Sequence, residues 1–277
     1  VRRRRSAPAL AALLVVAALP ATARAVDPGS VAASGGAVQA TLSWKAGQFG
    51  AKDPHLTIVR AGAPAFDGAP TTDCRDTCLY VASGRRDSPL QVVDLDGDGE
   101  PEVLVDVYTG GAHCCSQTEA FRFDGTAYAP IELSWGNGGY ELKDLDGDGR
   151  PELVGLDDAF AGAFTSYAGS FFPPRVVDFD VTAPGAERVV TTRFPALARA
   201  NAREALHLLR KVRRQRLETL GLVAAYVADL YLQGRGREVR PYLSRARRRG
   251  DLLTIDGPAP RSFDRRLLAF LRQHGYR

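Results

Sequence analysis

Two stretches fifty positions apart concentrate most of the chemistry in this chain: Asp94-Leu95-Asp96-Gly97-Asp98-Gly99-Glu100-Pro101-Glu102 and Asp144-Leu145-Asp146-Gly147-Asp148-Gly149-Arg150-Pro151-Glu152. Each places carboxylates at positions 1, 3, 5 and 9, with a glycine at position 6. Like charges at that spacing repel strongly unless a cation sits among them. A hard cation fits, because a tight loop can surround it with several aspartate oxygens, a backbone carbonyl, a longer-range carboxylate and water; calcium takes such a set. The sequence therefore predicts calcium ligands at Asp94, Asp96, Asp98 and Glu102, with the Glu100 carbonyl, and at Asp144, Asp146, Asp148 and Glu152, with the Arg150 carbonyl.

The flanks decide which kind of loop this is. An EF-hand would close with a bidentate Glu at position 12 between two helices. Position 12 is Val105 in one copy and Gly155 in the other, and the flanks, such as Val103-Leu104-Val105, are rich in β-branched residues. At these residues the sequence resembles the FG-GAP/VCBS repeats, the integrin-like calcium loops of β-propeller blades, whose pattern is Asp-x-Asp-x-Asp-Gly-x-x-Asp. The two copies depart from that pattern only at the ninth position, where Glu102 and Glu152 stand for Asp. The resemblance covers residues 38–192 and implies a structural calcium that pins strand connections. It names no activity.

What the first copy carries and the second lacks is the run Gly110-Gly111-Ala112-His113-Cys114-Cys115. Apart from these two, the chain has only Cys74 and Cys78. In an exported protein four cysteines favour disulfides. A bridge between neighbours 114 and 115, with Cα atoms about 3.8 Å apart, is one arrangement; cross-links from Cys74 and Cys78 to Cys114 and Cys115 are the other. A zinc or copper site at His113 and a thiol activated by His113 are weaker readings, because adjacent cysteines point poorly at one tetrahedral ion and no orienting partner is evident.

These groups must be positioned by a β half and a helical half. The first residues, Arg2 to Arg5 followed by an apolar run and Ala23-Arg24-Ala25, read as a signal peptide over residues 1–25. A secreted or periplasmic location in the cell envelope follows, and no later run is apolar enough to make the chain transmembrane. Residues 26–37 read as a flexible lead, 38–194 as a β-repeat calcium-binding domain and 195–277 as a basic helical domain. Strands are predicted at Val38 to Trp44, Leu56 to Arg60, Leu79 to Ala82, around both acidic loops, on either side of an Asp124-Gly125 turn, and at Arg175 to Phe179. About three four-stranded units fit, so the expected class is mainly β, as partial or degenerate propeller-like sheets, followed by α-helices.

Four helical segments follow. The first carries a stripe of Leu197, Asn201, Ala205, Leu208 and Val212, and Ser262 is placed as N-cap of the last. Charge divides along the same line: residues 26–195 hold 12 Lys and Arg against 25 Asp and Glu, and residues 196–277 hold 19 against 7. The basic half could dock on the acidic one or face an anionic partner. Its clusters lack the interleaved aromatic platforms of nucleic-acid binders, so nucleic acid is not an expected partner.

Together these features predict an exported calcium-binding β-repeat protein that acts as a binding or envelope-associated module for a protein or polysaccharide ligand. Outside the loops no spaced nucleophile or acid-base constellation marks an enzyme. The alternatives are an extracytoplasmic enzyme, thiol-disulfide or hydrolytic, with its site around residues 110–115 beside a carboxylate such as Asp106, and a purely structural partner protein.

Overall fold

The computed structural model describes residues 27–72, 78–81, 88–111, 114–179 and 187–277, without the side chains of residues 111, 114 and 187. Residues 1–25, expected from the sequence to be a signal peptide, and Cys74 and His113 lie outside the described residues.

The β part is three four-stranded antiparallel meanders in chain order. The first sheet runs β1 (Gly29–Gly35), β2 (Val38–Lys45), β3 (Lys52–Arg60) and β4 (Ala63–Gly68); the second runs β5 (Leu90–Val93), β6 (Glu102–Gly111), β7 (Cys114–Phe123) and β8 (Tyr128–Gly136). The third comprises β9 (Tyr140–Lys143), β10 (Glu152–Leu156), β11 (Pro174–Phe179) and β12 (Glu187–Val189). Each sheet is open at both ends. The acidic loops occupy equivalent places, joining the first and second strands of the second and third sheets. In the first sheet that connection is the short turn at Gly36, whose φ of 52° suits glycine.

Period-two burial explains the stacking. Val38, Ala40 and Leu42 of β2 and Leu56 and Ile58 of β3 are fully or nearly buried, and with Val103, Val105 and Phe121 they form the core between the first two sheets. On the other face of β6 and β7, Leu104 and Ala120 join Leu133, Trp135, Leu153, Val177 and Phe179 in a core between the second and third sheets. A strand buried on both faces reads as an unbroken apolar run, as Val103-Leu104-Val105 does.

The helical part comprises α1 (Pro195–Arg214), α2 (Leu220–Leu232), α3 (Val239–Arg248) and α4 (Phe263–Gln273). Its core also takes in Phe160, Phe164, Phe171 and Phe172 from the connection between β10 and β11. Phe160 makes edge-on contacts with Phe270 of α4, at 5.1 Å between centroids, and with Tyr276, at 5.8 Å. The β10–β11 connection in the third sheet is thus an aromatic anchor for the helices. No helix among the described residues is long and apolar enough to cross a membrane.

Four local expectations need correction. Residues 29–35, taken as part of a flexible lead, form β1, paired with β2 from Gly29 opposite Trp44 to Gly35 opposite Val38. Backbone pairing is blind to small side chains, and Val31 and Ala33 still reach the core. Leu79 makes a single bridge with Tyr108 and no strand, because β5 already pairs along the same edge of β6 from Glu102 to Val105. The buried face of α1 is Ala198, Ala202, Ala205 and Leu209, rotated by about one residue from the predicted stripe. Ser262 does stand at the N-cap position of α4, as expected; what fails is the cap itself, since its side chain makes no capping hydrogen bond.

Candidate functional site

Both acidic loops fold on their own carboxylates. In the first, Asp94 accepts hydrogen bonds from the Gly97 and Gly99 amides at 2.7 and 3.0 Å; in the second, Asp144 does the same for Gly147 and Gly149 at the same distances. Gly97, Gly99, Gly147 and Gly149 all have φ between 77° and 88°, which a side chain would strain. The ninth residue of each loop reaches back as well. Glu102 accepts from the Leu95 amide at 2.8 Å and Glu152 from the Leu145 amide at 2.9 Å.

The two loops then differ. In the first, Asp94, Asp96 and Glu102 bring carboxylate oxygens within 4.8 Å of one another; in the second, Asp144, Asp146 and Asp148 do. Asp98 is turned toward the Glu100 amide, and the Glu100 side chain forms a two-point pair with Arg60. Asp148 is held by Arg150, which keeps its carboxyl below the usual range. Loop residues 1 and 3 thus converge in both copies, whereas positions 5 and 9 each join in only one.

The first loop is the more enclosed. Glu102 is fully buried, and its Oε1 has no hydrogen-bond partner. Burial, reinforced by the neighbouring Asp96 charge and opposed by the Leu95 amide, pushes the Glu102 carboxyl up to about 8. Burial likewise raises Asp96 and Glu152. A buried carboxylate with an orphaned oxygen is costly unless a cation meets it. Arg122 answers part of that charge: its Nη2 is 2.5 Å from Asp96 Oδ2, and its Nε is 3.9 Å from Glu102 Oε1. In the second loop Arg193 takes the corresponding place, 2.7 Å from Asp146 and 2.9 Å from Asp178. Asp94, Asp96 and Glu102 are the carboxylates that could hold a hard cation such as calcium in the first loop.

Residues 110, 111, 114 and 115 lie at the facing ends of β6 and β7. Gly110 has a φ of 86°, Gly111 pairs with Cys114, and the Thr109 hydroxyl accepts from the Cys115 amide at 3.2 Å. Cys78 is fully buried, and no described cysteine is free. Asp106, the carboxylate expected to serve a hydrolytic site here, is 1% exposed. It accepts from the Thr118 hydroxyl at 2.7 Å and the Tyr140 hydroxyl at 3.1 Å, and Trp135 in turn donates to Thr118 at 3.0 Å. Asp106 therefore belongs to a packed polar network between sheets and lines no open pocket.

Sequence reasoning passed over Glu119, which is 1% exposed. Its two oxygens accept the amides and hydroxyls of Thr71 and Thr72, with both amides within 2.8 Å, fastening the segment before Cys74 to β7. The alternation of β7 marks Glu119 as inward-facing on the same side as Phe121, and that was the available signal.

No protein-family profile matches the chain, and no solved structure matches it significantly. It is similar to a probable thylakoid lumen protein of Synechocystis sp., with 34% identity over 149 residues, which is 52% of this chain and 44% of that protein. It is also similar to an uncharacterized protein of Sinorhizobium fredii, with 31% identity over 82 residues, or 29% of this chain and 13% of that protein. The matched region thus spans less than half the length of either relative.

Proposed function

We propose that this chain is an extracytoplasmic, calcium-braced β-repeat module of the cell envelope that binds a protein or polysaccharide ligand. The observation that carries the calcium reading is Glu102 Oε1, buried and without a hydrogen-bond partner beside Asp94 and Asp96. The FG-GAP-like pattern of both loops supports it, and so does their shared position between the first and second strands of successive sheets. The basic and apolar N-terminal run and the lumenal name of the Synechocystis relative support a location outside the cytoplasm. In such a compartment disulfides persist. Cross-links from Cys74 and Cys78 to Cys114 and Cys115 fit the bridge between Leu79 and Tyr108, which brings the two segments side by side.

Calorimetric unfolding with calcium and with excess chelator tests this reading. A ligand at a thousandfold excess over its Kd stabilises the native state by about 4 kcal/mol, a shift of several degrees. The expected result is a calcium-dependent rise in midpoint that falls when Asp94 and Asp96 are both changed to Asn. The same midpoint in calcium and in chelator would overturn it.

A further inference from the structure

We infer that the helical region carries a binding pocket for a phosphomonoester group attached to a small ring or acyl portion, built where α1, α2 and α3 meet. The pocket is about 460 Å³ and is independent of the acidic loops. That volume exceeds what a bare phosphate needs and falls in the usual range of small-molecule sites.

The walls are sorted by chemistry. Arg210 and Arg213 come from α1, Arg245 from α3 and Arg249 from just beyond it, against a single acidic lining residue, Asp251. Asp251 is buried and already held, with Arg213 2.7 Å and Arg249 3.1 Å away. It fixes these two guanidinium groups in place without cancelling the excess of positive charge. Among the described residues, Arg210 donates only to the Leu206 carbonyl, at 3.2 Å, and Arg245 has no carboxylate within ion-pair distance. The rest of the lining is apolar or aromatic, made by Leu206, Leu209 and Tyr226 beside Tyr242.

Basic residues are common in the last turn of a helix, where they offset its dipole, and Arg213 and Arg245 do occupy such positions. That role does not account for Tyr242. This residue lines the pocket, is 7% exposed, and its hydroxyl has no hydrogen-bond partner. Its ring packs 4.6 Å from that of Tyr226, and it lines the pocket together with Asp251 and Arg249. A buried hydroxyl without a partner carries a desolvation cost that an acceptor oxygen would relieve.

The donors select phosphate over other anions. Guanidinium forks match tetrahedral oxyanions through paired hydrogen bonds. A phosphomonoester brings close to two negative charges and three acceptor oxygens to an arginine cluster with net positive charge. A carboxylate offers one charge and two oxygens, and a phosphodiester only one charge.

Calorimetric titration of the purified protein with phenyl phosphate, and in parallel with inorganic phosphate and benzoate, tests the pocket. Phenyl phosphate is expected to bind more tightly than either, and Arg245→Gln and Tyr242→Phe are each expected to weaken it by about tenfold. Arg245 is exposed and makes no ion pair with a described residue, so its variant should fold, and Arg199→Gln, elsewhere on α1, should leave binding unchanged. Flotation with phosphatidylcholine vesicles carrying phosphatidic acid, against vesicles of equal surface charge carrying phosphatidylglycerol, separates the two sources of the group. Preferential retention on phosphatidic acid assigns a lipid headgroup, whereas phenyl phosphate binding without retention assigns a soluble ligand; either supports the pocket. No phenyl phosphate binding, or binding unchanged in both variants, would overturn it.

Discussion

Arg150, in the second acidic loop, donates from Nη1 to the backbone carbonyl of Asp96 in the first, 3.3 Å away. The two loops therefore touch across the boundary between sheets, and Arg150 lies over Gly97. A Cβ at Gly97 would sit 2.6 Å from Arg150 Cδ, and the residue has a φ of 77°. Gly97→Ala is expected to cost about 1–2 kcal/mol, part backbone strain and part collision. Adding Arg150→Ala should return the collision part and leave the rest, so a double-mutant cycle read by urea midpoints should show coupling. Strict additivity would mean that the loops do not meet in solution.

Phe160 links the third sheet to the helices. It is 2% exposed and packs on Phe164, Phe270 and Tyr276. Phe160→Ala should destabilise the protein by about 3–5 kcal/mol, the usual cost of emptying a buried aromatic site. The check is the denaturant midpoint. A loss below about 1 kcal/mol would show that the helices are held chiefly by other contacts.

This anchor marks where sequence reasoning stopped. The acidic loops were legible because Asp-x-Asp-x-Asp-Gly is a local pattern whose charges have one economical explanation, and the strand pattern around them was legible because Val38, Ala40 and Leu42 alternate with polar residues. Phe160, Phe164, Phe171 and Phe172 lie in a connection without helical or strand period, so their burial depends on helices that arrive later in the chain. The same holds inside the loops. Spacing showed that Asp94, Asp96, Asp98 and Glu102 could converge, but not that Asp98 would turn to the Glu100 amide or that Arg122 would come in from β7. The pocket arginines were visible only as charge runs, since Tyr242 and Tyr226 meet them through helix packing.

Asp229 of α2 gives a pH dependence with a definite sign. It is fully buried; Asn201 donates to one of its oxygens at 2.9 Å, and the other has no partner. Burial raises its carboxyl to about 8, with the Asn201 bond acting in the opposite direction. In the unfolded chain it titrates near about 3.9. Between these values the folded state binds more protons than the unfolded state, so this group's contribution to stability is greatest below about pH 4 and declines up to about pH 8. Asp229→Asn should therefore be nearly neutral at low pH and increasingly stabilising toward pH 8, by a few kcal/mol at most. Thermal midpoints of both proteins across that range check this; a constant difference would place the titration elsewhere.

A charged hydrogen bond fastens the C-terminal segment to the end of β10 in the third sheet. The Tyr276 hydroxyl donates to Asp157 Oδ2 at 2.6 Å, and Asp157 Oδ1 accepts the Ala159 amide at 3.1 Å, capping the turn that presents Phe160. Burial and the Asp157 charge both keep the phenol protonated, so it remains a donor at any ordinary pH. Tyr276→Phe keeps the ring against Phe160 and removes only the donor, at an expected cost of about 1.5–3 kcal/mol. Asp157→Ala also removes the cap and should cost more. Combined with Asp157→Ala, the tyrosine change should cost less than it does alone, since its acceptor is already gone. Hydrogen-exchange protection of the 158–160 amides gives a second readout. It should fall in Asp157→Ala and be largely kept in Tyr276→Phe, and equal loss in both would mean that the hydroxyl, not the cap, holds the turn.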